Sequence, residues 1–273
     1  MTSSSDNTHP AWDATQYRRY GSERLRPALD LINAIRATQF SSIVDLGCGT
    51  GEITRLLADK WSAETVVGVD RTPNMLARAK SDASRIEWIQ ADLKTWQPDS
   101  SVDLIFANAS LHWISNHERL IPQLLSSVNA GGTLAIQMPR NWDAPSHVLL
   151  REQLRALFGT KPSPVEAELL RKFDAMEVPE AAWYANLFGQ LGVANEIWET
   201  TYFHRLEASV DGRNAVLEWL MGTTLRPVLS VLDETAQENY FGALSSALAA
   251  VYPTATDGTT LYPFKRLFIL ANA

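Results

Sequence analysis

The stretch Ser42-Ile43-Val44-Asp45-Leu46-Gly47-Cys48-Gly49-Thr50-Gly51-Glu52 joins a short apolar run to three glycines at alternate positions. The run over residues 42–46 ends at a glycine, which is typical of a buried β-strand. Apolar residues then recur at helical spacing and predict a helix over Glu52–Trp61. Glycines between a strand and a helix let the backbone turn tightly and come close to a ligand. The stretch therefore predicts a strand, a ligand-binding loop and a helix in succession.

Further apolar runs follow this unit and alternate with helical patterns. The runs predict strands over residues 66–70, 86–90, 102–107 and 133–138, and the helical patterns cover residues 22–39, 73–83 and 117–128. The sequence Asn-Ala-Gly-Gly at 129–132 is expected to end the last of these helices. Strands that alternate with helices form a parallel sheet with helices on both faces. Right-handed crossovers make such a sheet doubly wound, and its ligands bind at the carboxyl ends of the strands.

The alternation stops after Trp142. Residues 143–195 and 205–260 are predicted to be largely helical insertions that form a cap, while residues 196–204 and 262–271 are predicted to be the final strands. The expected fold class is α/β, with a doubly wound, mostly parallel, seven-stranded Rossmann-like sheet and a helical cap inserted in its second half. The helical insertions are expected to lie over the carboxyl edge of the sheet.

The predicted domain organisation is simple. Residues 1–10 are expected to be a disordered tail, and residues 11–273 a single domain in which residues 11–142 form the cofactor-binding core. The start of the chain lacks the basic and apolar regions of a secretory signal, and no apolar run reaches the ~18 residues that a membrane span needs. We therefore expect a cytoplasmic protein with no membrane partner, present as a monomer or homodimer.

Charge and cysteine content exclude further classes. The chain has 273 residues with 31 acidic and 24 basic side chains, a net charge of −7, which argues against a nucleic-acid partner. An anionic substrate stays open, because a few arginines can reverse the field inside a cleft. Cys48 is the one cysteine, so a disulfide within the chain and a cysteine-based zinc site are excluded, and no metal site is predicted.

Two details narrow the ligand of the glycine loop. The dinucleotide fingerprint G-x-G-x-x-G needs a glycine at position 52, where the sequence has Glu52. Asp70 ends the second predicted strand, 19 residues after Gly51, where a carboxylate can accept two hydrogen bonds from a ribose diol. This aspartate suits a nicotinamide cofactor and S-adenosylmethionine equally.

The spacing G-x-G-x-G, preceded by Asp45, resembles motif I of the class I S-adenosylmethionine-dependent methyltransferases. That resemblance implies S-adenosylmethionine as the cofactor and makes Asp92 the partner of its adenine amino group. The predicted cofactor-binding residues are Tyr17, Arg24, Asp45, Gly47, Cys48, Gly49, Gly51, Asp70, Arg71, Met75, Ala91, Asp92, Leu93 and Asn108. Arg24 could instead meet the substrate, and Met75 could instead pack in the core.

Longer blocks are similar to one family within this superfamily. They are Glu23-Arg24-Leu25-Arg26-Pro27, Leu104-Ile105-Phe106-Ala107-Asn108-Ala109-Ser110-Leu111-His112-Trp113, Gln137-Met138-Pro139-Arg140-Asn141-Trp142, Trp198-Glu199-Thr200-Thr201-Tyr202-Phe203-His204, Leu225-Arg226-Pro227, Asp257-Gly258 and Pro263-Phe264-Lys265-Arg266-Leu267-Phe268. These blocks resemble the trans-aconitate 2-methyltransferases. The resemblance implies that a methyl group passes from S-adenosylmethionine to a carboxylate of trans-aconitate, which gives a monomethyl ester and S-adenosylhomocysteine.

A carboxylate acceptor suits a chain without an obvious catalytic base dyad. Model carboxyl groups have pKa values near ~4, so the acceptor is ionised at neutral pH and needs no general base. Catalysis then consists of holding one oxygen in line with the methyl group and excluding water, and such positioning can supply roughly 7–11 kcal/mol.

A small anionic carboxylate is best held by arginine forks with support from His, Tyr or Trp. The predicted substrate-positioning residues are His112, Trp113, Trp142, Tyr202, Arg226 and Arg266. Arg226 and Arg266 are the preferred clamps because they lie far along the chain from the nucleotide loop. Each candidate also has a structural interpretation, namely a helix-end carbonyl for Arg226, a surface acid for Arg266, stacking on Trp113 for His112 and core packing for the tryptophans.

Two alternatives keep the cofactor and change the function. One is a methyltransferase for a larger carboxylate or natural-product acceptor, which needs an open cleft and fewer convergent arginines. The other is a protein that binds S-adenosylmethionine without methyl transfer. An NAD-dependent dehydrogenase is disfavoured by Glu52 and by the lack of a hydride-transfer constellation.

Overall fold

The computed structural model describes residues 21–80, 85–175, 178–209 and 211–273, with the side chains of 21–24 excepted. The predicted tail at 1–10 and the candidate residue Tyr17 lie outside this part of the chain. Arg24 lies within the first described helix, but its side chain is also outside the description.

Strands and helices alternate through the first half of the described chain. The elements are α1 (Gly21–Ala34), β1 (Ser42–Leu46), α2 (Glu52–Trp61), β2 (Thr65–Asp70), α3 (Pro73–Ala79), β3 (Ile86–Gln90), β4 (Val102–Asn108), a 3₁₀ turn (Leu111–Trp113), α4 (His117–Leu125) and β5 (Val128–Pro139). The predicted strand–loop–helix unit is confirmed with its predicted bounds, residues 42–46 and 52–61.

Helices predominate in the second half, as expected. The elements are α5 (Pro145–Phe158), α6 (Pro164–Asp174), α7 (Ala181–Leu191), β6 (Ala194–Leu206), α8 (Ala215–Met221), α9 (Arg226–Leu229), α10 (Glu234–Val251) and β7 (Thr260–Asn272). None of the described helices is long and apolar enough to cross a membrane.

The described strands form one seven-stranded sheet in the order β3-β2-β1-β4-β5-β7-β6. The pairs from β3 through to β5 are parallel, whereas β7 runs antiparallel to β5. The predicted fold class, a doubly wound and mostly parallel Rossmann-like sheet, is confirmed. The strand order reverses between β1 and β4, and the carboxyl ends of these strands therefore border the crevice in which ligands of such sheets bind.

Some predicted helices end earlier than expected, and the first of them, over 22–39, ends at Ala34. The helix expected over 117–128 ends at Leu125, and residues 129–132 belong to β5 instead of terminating a helix. The end of the chain explains the difference, because the Gly131 N–H donates to the Ala273 carbonyl at 2.7 Å and the Ala273 N–H to the Gly132 carbonyl at 3.1 Å. Pairing with a segment 140 residues away thus extends the strand beyond its local signal.

The described chain divides into two compact units. The sheet unit comprises Ser22–Arg140, Met176–Tyr202 and Phe264–Ala273, and the helical unit contains residues 141–175 and 203–263. The predicted insertion at 143–195 is therefore too long, because α7 belongs to the sheet unit. Its Tyr184, Leu187 and Phe188 are buried in the same apolar cluster as strands β4, β5 and β7. A role of the helical unit as a cap stays a prediction.

Side chains of the sheet unit divide between two faces. One face carries Ile43 of β1, Phe106 of β4, Ala135 of β5 and Phe268 of β7 in an apolar cluster with α1 and α2. We call it the α1–α2 face. Because alternate residues of a strand point to the same side, polar residues two positions further along these strands share this face at the carboxyl edge. The α1–α2 face of the sheet is therefore apolar along most of its length and polar at the carboxyl edge, where ligands are expected.

Candidate cofactor and acceptor site

The loop between β1 and α2 depends on glycine at three positions with positive φ. Gly47, Gly49 and Gly51 have φ values of 79°, 55° and 77°, which side-chain-bearing residues rarely adopt. The loop is tied to β2 because the N–H groups of Gly47 and Cys48 both donate to the Val69 carbonyl, at 2.7 and 3.0 Å. Ser110, which follows β4, and Trp88 of β3 occupy the space that a side chain would need at two of the three glycines.

A Cβ on Gly47 would lie 2.3 Å from the Cβ of Ser110, and one on Gly51 would lie 2.3 Å from the ring of Trp88. A Cβ on Gly49 would meet no atom within 4 Å. Gly47 and Gly51 are therefore required by the protein's own packing. Gly49 instead presents its backbone to open space, which is where a ligand can approach the loop.

We expect Gly49→Ala and Gly51→Ala to separate ligand binding from folding. Gly51→Ala pushes a methyl group into Trp88 and should lower the free energy of unfolding by about 1–3 kcal/mol. Gly49→Ala adds only the backbone strain, about 1 kcal/mol, but should weaken cofactor binding at least tenfold. Chemical denaturation and calorimetric titration of S-adenosylhomocysteine measure the two effects. Equal losses of affinity and stability in both variants would contradict this division.

Asp70 ends β2 and faces the loop. Its Oδ2 accepts the Gly49 N–H at 3.0 Å and its Oδ1 accepts the Thr72 N–H at 2.8 Å. Both carboxylate oxygens are therefore oriented by backbone donors, and each retains a lone pair for a further hydrogen bond. The arrangement suits a ribose diol, the group that the sequence predicts for Asp70.

Asp45 lies beneath the loop with 2% of its surface exposed. The Thr54 hydroxyl donates to its Oδ2 at 2.6 Å. Burial raises the pKa of Asp45 from 3.8 to about 7; the hydrogen bond from Thr54 opposes the rise and the charge of Asp70 adds to it. A positive charge bound nearby would favour the ionised form of this carboxyl.

The remaining predicted cofactor residues fall into two groups. Asp92 and Arg71 are exposed, and Asp92 uses Oδ1 to accept the Lys94 N–H at 3.0 Å. Cys48 and Met75 are buried, while Ala91 and Leu93 are partly buried against the apolar cluster of the other face. Burial raises the pKa of the Cys48 thiol, which makes it a packing residue rather than a nucleophile.

Trp88 of β3 is a site-forming residue that the sequence analysis missed. Its ring lies against the Cα positions of Gly51 and Gly68, and the Arg55 guanidinium lies 5.6 Å from the ring centroid. Gly68 is the direct partner of Trp88 in the register between β2 and β3. A glycine inside a strand indicates that another group comes close to the backbone, so Gly68 could have indicated a large side chain such as Trp88 beside it.

His112 and Trp113 form the turn after β4. Their ring centroids lie 4.7 Å apart, and Trp113 is exposed. Burial, with smaller contributions from the charges of Arg266 and His117, lowers the pKa of His112 to about 3. The His112 ring is therefore neutral at pH 7, and its buried Nδ1 has no hydrogen-bond partner in the described protein.

Arg266 of β7 shares the α1–α2 face of the sheet, because it is two residues from Phe268. It is 5% exposed, with its guanidinium 4.6 Å from the centroid of the Phe264 ring. Its charge is, after burial, one of the causes that lower the pKa of the His112 ring.

Tyr202 has a structural partner. Its hydroxyl donates to Asp30 Oδ2 of α1 at 2.6 Å, and its ring lies near Phe268 with centroids 6.5 Å apart. Burial first, and then the hydrogen bond to Asp30, raise the pKa of the Tyr202 hydroxyl. Tyr202 therefore attaches α1 to the sheet, and its contact with substrate stays a prediction.

Two predicted substrate residues, Trp142 and Arg226, belong to the helical unit. The Trp142 ring stacks on Phe173 at 5.9 Å, and the Arg151 guanidinium lies 4.6 Å from its centroid. Arg226 is the first residue of α9 and is partly buried. These contacts give Trp142 a packed position within its unit.

Comparisons with known proteins agree with the geometry. Residues 43–132 match a family model described as a methyltransferase domain. Among solved structures, the YcgJ protein of Bacillus subtilis has a TM-score of 0.55 at 14% identity, covering 90% of this chain and 96% of that one. Phosphoethanolamine N-methyltransferase 2 of Haemonchus contortus, solved with S-adenosyl-L-methionine, has a TM-score of 0.52 at 16% identity, covering 90% and 52%. At such identities these structures show the shared fold alone.

The trans-aconitate 2-methyltransferase of Azoarcus sp. strain BH72 is 42% identical over 96% of this chain and 99% of its own length. The chain belongs to the trans-aconitate 2-methyltransferase family. The enzyme of the same name from Klebsiella pneumoniae strain 342 is 40% identical over 96% of this chain and 97% of its own length. The predicted family, methyltransferase activity and S-adenosylmethionine cofactor are thereby confirmed.

Proposed function

We propose that this chain transfers the methyl group of S-adenosylmethionine to a carboxylate of trans-aconitate, giving a monomethyl ester and S-adenosylhomocysteine. The observation that carries the proposal is the identity of 42% to a trans-aconitate 2-methyltransferase along almost the whole of both chains. Three residues support it. Gly49 lies at an open part of the loop, Asp70 offers carboxylate oxygens that can accept hydrogen bonds from the ribose diol, and Arg266 is a buried cation.

The residues present fit the cofactor. Gly49 leaves backbone accessible, Asp70 offers oriented oxygens to the ribose, and Asp45 offers a carboxyl to the cationic methionine portion. We assign Asp92 to the adenine amino group, and Arg71, Met75, Ala91, Leu93 and Asn108 to the surrounding walls. Tyr17 and Arg24 stay predicted contacts. When bound, S-adenosylmethionine supplies an electrophilic methyl group on a sulfonium.

The side chains of the sheet unit then act by binding and orienting the acceptor. We assign Arg266 to one carboxylate as a guanidinium fork and His112 to a neutral hydrogen bond. His112 does not serve as a general base, because its pKa of about 3 makes it a poor proton acceptor and the acceptor carboxylate has no proton to lose. We assign Trp113 to the exclusion of water from this site. Trp142 and Arg226, which belong to the helical unit, stay predicted contacts of the acid.

We expect cofactor binding to release a proton from Asp45. With a pKa of about 7, this carboxyl is half protonated at neutral pH. A cation bound beside it lowers that pKa, so the proton leaves and affinity rises as the pH increases from 6 to 8. Titration calorimetry in two buffers of different ionisation enthalpy measures the released proton. The same release in Asp45→Asn would contradict the assignment.

The experiment that tests the proposed function is incubation of purified protein with S-adenosylmethionine and trans-aconitate. Mass spectrometry should detect S-adenosylhomocysteine and a trans-aconitate monomethyl ester in equal amounts. Citrate, cis-aconitate and isocitrate serve as matched acids and should react more slowly. Cofactor binding without methylation of any of these acids would overturn the proposal and would favour a larger acceptor or a non-methylating role.

A further inference from the structure

Two amide side chains lie next to each other at the carboxyl ends of β4 and β5. Asn108 and Gln137 are direct partners in the parallel register of these strands. Both lie on the α1–α2 face, because Phe106 and Ala135, two residues earlier, are buried in the cluster of that face. The register therefore puts two donor-and-acceptor groups side by side where the sheet meets its ligands.

The backbone holds this pair in place. The Ala109 N–H donates to the Gln137 carbonyl at 2.9 Å, which locks the end of β4 onto β5. Ala109 has a φ of 51°, in the left-handed region that alanine rarely adopts. Strain of this kind persists where the surroundings enforce it, and it often accompanies ligand sites.

Both amides have buried atoms that bond to no described residue of the protein. Gln137 is 0% exposed, and both Nε2 and Oε1 lack a hydrogen-bond partner in the described protein. The buried Oδ1 of Asn108 also has no partner there. Buried polar groups in native proteins are almost always paired, so a cluster of three unpaired amide atoms requires an explanation.

Nearby residues show that this sheet can satisfy buried polar groups. Thr133, on the same strand and face as Gln137, donates its hydroxyl to Asn272 Oδ1 at 3.2 Å. His117 bonds through both ring nitrogens, to the Tyr184 hydroxyl and to the Leu111 carbonyl. Among the described residues, the three with buried side-chain N or O atoms and no partner are Asn108, His112 and Gln137, at the edge where the ligands are expected.

We propose that Asn108 and Gln137 form an amide relay between cofactor and acceptor, and that Gln137 is a specificity-determining residue that binds the acceptor carboxylate. In the relay, Asn108 Oδ1 accepts an N–H of the cofactor ammonium and Asn108 Nδ2 donates to Gln137 Oε1. Gln137 Nε2 donates to the carboxylate oxygen that does not attack the methyl group. Each of the three unpaired atoms thereby gains one partner of the correct type.

The relay rests on the proposed function, because its acceptor is the carboxylate of trans-aconitate. It adds a reason why the site prefers a carboxylate to other acceptor groups. A neutral amide gives direction to a carboxylate oxygen without adding charge beside Arg266, which supplies the attraction. The attacking oxygen keeps its lone pair because the amide bonds the other oxygen. The proposed subsite therefore takes a carboxylate in preference to a hydroxyl or amine acceptor.

The test uses the full chain and three variants, Gln137→Met, Asn108→Leu and Thr133→Val. Met matches the length of Gln without its hydrogen bonds. We expect Gln137→Met to lower kcat/KM for trans-aconitate by about 10- to 100-fold, the loss expected for one hydrogen bond to a charged group. Its affinity for S-adenosylhomocysteine, measured by calorimetry, should change less than threefold. Asn108→Leu should weaken both.

Thermal unfolding of the ligand-free protein supplies a readout independent of turnover. In the ligand-free protein Gln137 has no hydrogen-bond partner among the described residues, so Gln137→Met should leave Tm unchanged or raise it. Thr133→Val breaks a satisfied hydrogen bond on the same strand, so it should lower Tm while leaving kcat/KM unchanged. A fall in Tm for Gln137→Met, or an unchanged kcat/KM for trans-aconitate, would overturn the relay.

Failure of the proposed function would give a different pattern. The wild-type protein would then form no S-adenosylhomocysteine from trans-aconitate, whatever the variants do. The unfolding comparison of Gln137→Met with Thr133→Val would still decide the relay, because a lower Tm for Gln137→Met would show that the amide serves the fold. An unchanged or higher Tm would support an amide held for a ligand.

Discussion

Asp70→Asn is expected to weaken binding of S-adenosylmethionine by about 100-fold, the loss that follows when two hydrogen bonds of charged character are removed. Both oxygens of Asp70 accept a backbone N–H, one from Gly49 and one from Thr72. An asparagine has a single oxygen, so its NH₂ group must face one of these donors. The substitution therefore misplaces the glycine loop as well as removing an acceptor for the ribose.

Asp233→Asn is the matched control for this prediction. The Asp233 side chain uses Oδ1 to accept the Ala236 N–H at 2.8 Å and lies exposed, so an asparagine can keep that bond. We expect it to change cofactor affinity less than fivefold, as measured by calorimetric titration of S-adenosylhomocysteine. Comparable losses in the two variants would show that the backbone contacts of Asp70 are not what makes it important.

Arg266→Met is expected to lower kcat/KM for trans-aconitate by about 100- to 1,000-fold, because two charge-assisted hydrogen bonds to a carboxylate are lost together. Arg266 is 5% exposed, so water cannot replace its guanidinium at low cost. Arg266→Lys keeps the charge but lacks the planar fork, and its loss should be intermediate. Steady-state kinetics with varied trans-aconitate provide the measurement.

Arg36→Met provides the control, since it removes the same charge from an exposed arginine of the sheet unit that pairs with Glu196. It should leave kcat/KM within twofold of the wild-type value, because exposed ion pairs contribute little. Thermal unfolding of all three variants checks that they fold. The assignment of Arg266 to the acceptor would be wrong if a folded Arg266→Met protein kept full kcat/KM with trans-aconitate.

Local sequence patterns were sufficient for much of the sheet. The predicted bounds of β1, α2 and β3 agree with the structure, because each element is marked by its own apolar period and by glycine or a charged residue at its ends. The boundary of α4 with β5 was not predictable in this way, since residues 129–132 become a strand only by pairing with the end of the chain.

The roles of individual site residues divide along the same line. The sequence predicts a ligand loop from three glycines, Gly47, Gly49 and Gly51. Only the structure shows that Gly49 faces open space, whereas the other two lie against Ser110 and Trp88. Tyr202 has a residue type suited to acid recognition, yet its hydroxyl is used by Asp30, 172 residues earlier in the chain. Neither the packing around the glycines nor the hydrogen bond of Tyr202 to Asp30 can be predicted from local periodicity.

The sequence by itself determined the α/β class, the S-adenosylmethionine cofactor and the family, because these depend on residues close together in the chain or on long blocks of identity. The tertiary structure alone decided that Gln137 is buried with both amide atoms unpaired among the described residues, that His112 is neutral, and that Arg266 is enclosed. Burial and strand register decide such properties, and both arise from contacts between distant segments. A hydrogen-bond partner or a pKa is therefore fixed only when those segments come together.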